Sequence, residues 1–458
     1  MSEENKNQEE LQRRREARRK RRQRNQILAY LAVLGVILVL AGGTLLVING
    51  LSKGPKEPKG GKTVAQATPT PDIEESSEVE GTEPEESTEP EVIPSEPEET
   101  EPPVVELTYE EKLDQIVNAA IEVMPIEDKV AGLFMITPEG LTGVKPVTRA
   151  GDSTKEALGK YAVGGILYRT QNIKNKDSFK TMLENTILYS KYPVFLSVEE
   201  ECGETNQIFK KGIGTKTDNA KTIAATGDPQ NAYQAGVTIG TYLKELGITM
   251  DLAVVTDLAT VDKSVVEKRS FGSDADTVFS FATSMMTGFK EQGITPVAKH
   301  FPGLGSLKTD TEKGVSVSER TEEEFWANEM ELYKRLIDNG LSVIMISNMA
   351  APSLVGDNTP CSLSEQVVTG ILRQKLGYNG LVITDMLDEK AVSEYYSSEQ
   401  AAIMALKAGC DMILCPENFE EAYNGILKAV QDGTISEERI NDALRRIYRI
   451  KCADRVEE

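Results

Sequence analysis

At 458 residues the chain is long enough for two or three domains, and its formal net charge is −22. That excess is local: about 14 acidic residues and no basic one fall between positions 63 and 103, so it describes one segment and not a binding surface. A single histidine, His300, excludes a zinc site with two histidine ligands and any Ser-His-Asp triad not built on that residue.

Residues 1–25 are polar and end in a basic cluster, RRREARRKRRQR. An uncharged run then begins at Ile27 and ends at Ile48, long enough to span a bilayer. A cleaved signal peptide has a shorter apolar core and a small-residue cleavage site. The run ends instead in LLVINGLSKGPK, which favours a retained anchor at 26–49. The arginines precede it, so residues 1–25 are expected in the cytoplasm and the remainder outside the cell. The only dense basic cluster thus flanks a membrane segment, and nothing points to nucleic acid. Residues 50–105 are rich in Glu, Pro, Thr and Ser. Such a segment buries too little apolar surface to offset its ordering entropy, and it reads as an extended linker.

From 106 to 458 the composition is globular, enough for one large domain. Eight short apolar runs read as buried strands: AGLFMI (131–136), VGGILY (163–168), PVFLSV (193–198), TMDLAVV (249–255), TPVAKHF (295–301), SVIMISNM (342–349), GLVITDM (380–386) and DMILCP (411–416). Stretches of helical period lie between them, at 228–246, 274–292, 319–339, 397–408 and 417–431. A last helix is expected at 436–451, capped by Ser436. The alternation predicts an α/β fold, a (β/α)8 barrel of the TIM type. A doubly wound sheet would need a Gly-rich nucleotide turn early in the domain, and there is none. The five cysteines, Cys202, Cys361, Cys410, Cys415 and Cys452, form no CxxC pair and are expected to be small buried hydrophobes.

In such a barrel the working residues gather at the C-terminal ends of the strands. Those ends carry Glu199-Glu200-Glu201, Asp257, Lys299-His300, Ser347-Asn348 and Thr384-Asp385, with Arg269 in the segment after the fourth strand. Beyond Lys299-His300 the chain enters a Pro-Gly loop that bears Asp310 and Glu312. Acids and cations converging on one mouth suit a polyol or sugar, since carboxylates accept from hydroxyls and Lys, His and Arg donate back. Taken singly, Asp385 also fits a helix N-cap and Glu312 a solvated loop carboxylate.

The stretch KHFPGLGSLKTDTE, with MDLAVVTDLA (250–259), KRSFGSD (268–274), SLSEQVVTGILRQKLGYNGLVITDM (362–386) and AGCDMILCP (408–416), resembles glycoside hydrolase family 3, and within it the single-barrel β-N-acetylhexosaminidases. The resemblance covers roughly 110–452. It implies that Asp385, in GLVITD, is the nucleophile of a retaining glycosidase, and that Lys299, His300 and Arg269 bind sugar. It implies no metal or organic cofactor and a carbohydrate partner, with cell-wall peptidoglycan as one source of it. The chain also departs from the family pattern. The family's acid/base histidine is Glu312, while the aspartate two residues before it is kept as Asp310. The family's GHG is GLG, with Leu304. At the third strand the sugar-binding aspartate becomes Glu199 and a following arginine becomes Glu204. Asp257 is expected to join the substrate-binding set.

Two readings follow. In one, Asp385 attacks the anomeric carbon and Glu312, its pKa raised by burial and by Asp310, serves as acid and base. In the other, the barrel has lost turnover and binds glycan or cell wall. The first stands on Asp385 lying open to the cavity that holds Lys299 and His300; burial or an outward orientation counts against it.

Overall fold

The computed structural model describes residues 107–456. The predicted cytoplasmic tail, the anchor at 26–49 and the linker at 50–105 lie outside the described residues. Among the described residues no helix is long and apolar enough to cross a membrane.

Among the described residues nine short strands wall the core: β1 (Phe134–Ile136), β2 (Gly165–Leu167), β3 (Phe195–Val198), β4 (Met250–Asp251), β5 (Thr295–Pro296), β6 (Ala298–Phe301), β7 (Val343–Ile346), β8 (Leu381–Thr384) and β9 (Ile413–Leu414). They form two parallel sheets, ordered β5-β4-β3-β2-β1-β9 and β6-β7-β8. Both seams between the sheets are bridged. At one, the Val297 N–H donates to the carbonyls of Asp251 (3.2 Å) and Ala253 (2.7 Å), and Val255 bridges Lys299. At the other, Ile383 bridges Met412, and the Thr384 N–H donates to the Met412 carbonyl at 3.0 Å. The eight apolar runs therefore follow one another around a barrel-type ring. β5 and β6 were expected as one strand, 295–301. They separate because Val297 turns its N–H to two carbonyls of the preceding run, which breaks the regular ladder.

Most residues of these strands are apolar because each strand is covered on both faces, as parallel sheets are; the exceptions, among them Asp251, Lys299 and His300, are themselves buried. Phe134, Leu196, Val343, Ile344, Val382 and Ile413 are fully buried. Helices α1 (Tyr109–Glu122), α2 (Gln230–Leu246), α3 (Ala275–Glu291), α4 (Ser398–Ala408), α5 (Phe419–Gln431) and α6 (Glu437–Cys452) pack outside the strands. Their starts follow local chemistry: Thr108 and Glu111 cap α1 reciprocally, as Ser397 and Gln400 cap α4. Ser436 accepts from the Arg439 N–H, a cap without the reciprocal carboxylate. The helix expected at 319–339 starts later, at Glu322, and widens over Trp326–Met330 into a π-type turn that buries Glu329. At the start of β9 the buried Asp411 accepts from Arg373 (2.6 Å), Arg446 (3.2 Å) and Arg439 (3.4 Å), which ties α6 to the barrel. All five cysteines are free and buried.

Candidate active site

The mouth of the ring is built outward from two ion-paired cations. Lys299, on β6, has no solvent exposure, and its Nζ lies 2.8 Å from Glu201 Oε1 and 3.1 Å from Glu199 Oε1. Arg269 donates to Glu201 twice, from Nε at 2.7 Å and Nη2 at 2.6 Å, the planar fork that guanidinium makes with a carboxylate. Burial alone would raise the Glu201 pKa, but Arg269 and then Lys299 hold it well below the usual carboxylate range. Burial would likewise lower the Lys299 pKa, and Glu201 and Glu199 outweigh it, so the ammonium stays charged.

His300 is fixed by Asp257. Its Nδ1 lies 2.7 Å from Asp257 Oδ2, while Asp257 Oδ1 accepts from the backbone N–H of Leu304 at 2.6 Å and of His300 at 3.3 Å. This corrects the expectation for Asp257. Its side chain is fully buried and both of its oxygens are engaged by the protein, so it orients the imidazole and the loop instead of meeting substrate. With Nδ1 so occupied, Nε2 is the nitrogen available to a ligand.

The loop after β6 is pinned at its base. Leu304 and Leu307 are buried. Gly305 passes so close to strand four's extension that an added Cβ would lie 1.7 Å from the Leu258 carbonyl, so only glycine fits. The loop tip forms a short turn, Thr311–Lys313, in which Asp310 accepts from the Glu312 N–H at 3.2 Å. Glu312 is exposed, yet its pKa is raised by partial burial and by Asp310, and Glu199, Arg269 and Asp385 also act on it. A cavity of about 760 Å³, lined among others by Lys308, Thr309, Val315 and Arg320, lies beside this loop.

Asp385 follows β8. Its N–H donates to the Ile346 carbonyl at 2.7 Å, and its Oδ1 accepts from the Met386 N–H at 2.9 Å. Only 6% of it is exposed, so it is not the open carboxylate the sequence reading called for. Its electrostatic neighbours are nonetheless His300, Lys299 and Glu199, the residues of the same mouth. Burial raises its pKa, while His300, the Met386 N–H and Lys299 oppose the rise.

Several residues of this mouth were not singled out from the sequence. Glu201, not Glu199 alone, holds the two cations. Arg169, two positions beyond β2, reaches Asp388 at 3.5 Å and the Met386 sulfur at 2.9 Å. Glu389 accepts from Asn348 Nδ2 at 2.9 Å, and its pKa is pushed up to about 9 by burial and by Asp385. The strand-end rule would have reached Arg169. Glu389 sits too far along its loop for that rule. Glu204, at the place of the family's arginine, is exposed.

Comparison with known proteins bears on the family and the fold. The model of the glycosyl hydrolase family 3 N-terminal domain matches residues 110–450. A β-hexosaminidase of Methylobacillus flagellatus is 30% identical over 258 residues, 55% of this chain and 73% of the relative. A β-N-acetylglucosaminidase/β-glucosidase of Cellulomonas fimi is 28% identical, and this chain spans only 52% of it. Among solved structures, a family 3 β-N-acetylglucosaminidase from Paenibacillus sp. superposes with a TM-score of 0.65 at 28% identity, covering 73% of this chain and 64% of that one. A family 3 glycosyl hydrolase from Mycobacterium smegmatis superposes with a TM-score of 0.64 at 26% identity, covering 72% and 97%.

Proposed function

The chain belongs to glycoside hydrolase family 3, and on that premise we propose that it is a retaining glycosidase that releases terminal β-linked N-acetylglucosamine or a closely related sugar from a glycan such as a cell-wall fragment. Asp385 attacks the anomeric carbon as its bond to the leaving oxygen breaks, giving a glycosyl-enzyme. Glu312 gives its proton to that oxygen, then takes one from the water that hydrolyses the intermediate. The observation that supports this reading is that Lys299 and His300 lie on β6 and Asp385 directly follows β8, in one parallel sheet β6-β7-β8, with the loop that bears Glu312 leaving β6. Lys299 and Arg269 are held charged and in place by Glu201, ready to donate to sugar hydroxyls. The choice of sugar rests on the names of the relatives.

The test is a 2-fluoro aryl glycoside of N-acetylglucosamine or glucose, followed by intact mass and peptide mapping. The expected result is one sugar equivalent on the peptide carrying Asp385. No adduct, with sugar binding preserved, would establish the second reading, a barrel that binds glycan without turnover. One observation favours that alternative: Asp385 is buried, where an attacking carboxylate has to meet its substrate.

The site belongs outside the cell in this proposal, tethered by the uncharged run that ends at Ile48. Its support is the basic cluster before that run. Protease treatment of intact cells, with loss of the barrel from the cell surface, is the check.

A further inference from the structure

We propose that a groove of about 600 Å³ on the rim of the barrel is a sugar subsite, where Tyr395 stacks on a pyranose ring of the glycan beyond the sugar that is cleaved. The inference rests on the glycosidase reading and extends it to the rest of the substrate. The groove lies between residues 393–398 and 417–421, segments that follow the ends of β8 and β9. It therefore opens on the face where the strands end, the face of Asp385, Lys299 and His300. Its two walls are tied to the strands and to each other. The Leu387 N–H, two residues past Asp385, donates to the Leu414 carbonyl at the end of β9 at 3.0 Å. Farther out, the Asn418 N–H donates to Ser398 Oγ at 2.9 Å. The volume is in the range of small-molecule sites.

Tyr395 and Tyr396 follow the short helix Lys390–Ser393, and the backbone N–H of each donates to the Val392 carbonyl at 3.0 Å. Their rings then part. Tyr396 is half-buried and packs against the core. Tyr395 is 63% exposed, and among the described residues its side chain makes no hydrogen bond and no ring contact. The fold gains nothing from that ring, whereas the C–H face of a pyranose would cover it and leave its hydroxyl in water. The same groove is lined by Glu417 and Glu421, whose carboxylates make no hydrogen bond or ion pair among the described residues. The third acid, Glu394, is turned to Lys390, 3.8 Å away. Free carboxylates accept from sugar hydroxyls or from an amine, and they repel an anion. The ring that stacks on Tyr395 is therefore a hydroxyl-rich sugar that is uncharged or amine-bearing, such as β-linked N-acetylglucosamine or glucosamine, and not one that carries a carboxylate or a phosphate.

The test compares the β-1,4-linked trimer of N-acetylglucosamine with an aryl β-N-acetylglucosaminide, which has no second sugar. Turnover of both is measured for the full chain and for its Tyr395→Ala and Tyr395→Trp variants. Binding of the trimer to the same three proteins is followed by calorimetry, with Asp385→Asn added to each so that the trimer stays intact. The ratio of kcat/KM for the trimer to that for the aryl glycoside is expected to fall about tenfold in Tyr395→Ala, through KM, and to hold in Tyr395→Trp, which keeps a face for stacking. Trimer affinity is expected to follow the same order. A ratio that Tyr395→Ala leaves unchanged, or in the absence of turnover an unchanged trimer affinity, overturns the subsite. Turnover with an unchanged ratio leaves the glycosidase reading standing. No turnover in any of the proteins, with trimer binding weakened by Tyr395→Ala, keeps the subsite and removes the glycosidase reading.

Discussion

Asp257 Oδ2 and His300 Nδ1 lie 2.7 Å apart with the carboxylate wholly enclosed. The one imidazole in the chain is therefore set by a protein acid before any sugar arrives. Asp257 also accepts from the Leu304 N–H, so one carboxylate positions both His300 and the start of the loop that follows β6.

Removing that carboxylate should show in stability as well as binding. Asp257→Ala leaves buried backbone N–H groups of His300 and Leu304 without their acceptor, at a cost of about 1–3 kcal/mol each. Urea unfolding should register a loss of that order, and sugar affinity should fall with it. An unchanged unfolding midpoint would mean the carboxylate holds nothing in place.

Glu201 invites the sharper substitution. Glu201→Gln leaves Lys299 fully buried with only Glu199 to balance it and takes the charge from the paired Arg269. Breaking a buried pair in this way costs about 3–5 kcal/mol. Thermal unfolding is the measurement, and a near-neutral result would show that water or rearrangement supplies the missing partner.

The loop carboxyl predicts a dependence on leaving group. Glu312→Gln should slow a poor, alkyl-like leaving group by about 10²–10⁴ and an activated aryl one far less, since only the former needs a proton to depart. Equal slowing of the two substrates would take the acid role away from Glu312.

Stability should also follow pH with a definite sign. Burial pushes Glu200 and Glu329 up to about 7 and Glu389 up to about 9, from an ordinary 4.5. Groups whose folded pKa is raised contribute stability that is complete below the unfolded value and is lost as pH rises through the folded one. Glu201 works in the opposite direction: its depressed pKa stabilises above the unfolded value and fails only in strong acid. Urea midpoints should therefore fall between about pH 5 and 9. A midpoint that rises across this window would contradict the burial of these three carboxyls.

The Asp257 result also shows where reading a sequence stops. Asp257 and Lys299 were both found by one rule, residues just past an apolar run, and the rule places them at the mouth without saying which way they face. Facing is decided by neighbours far off in the chain. Asp257 turns to His300 and Leu304, 43 and 47 positions on. Lys299 turns to Glu201, nearly a hundred residues before it.

What the sequence determined by itself was the alternation of buried strands and amphipathic helices and the family motifs. These are local patterns, legible because parallel strands covered on both faces are mostly apolar. The tertiary structure decided the rest: the break at Val297, the burial of Asp385, and the clamp of Glu201 on Arg269 and Lys299. Each of these depends on Coulomb and desolvation energies between groups distant along the chain, and those energies exist only once the ring has closed and drawn them out of water.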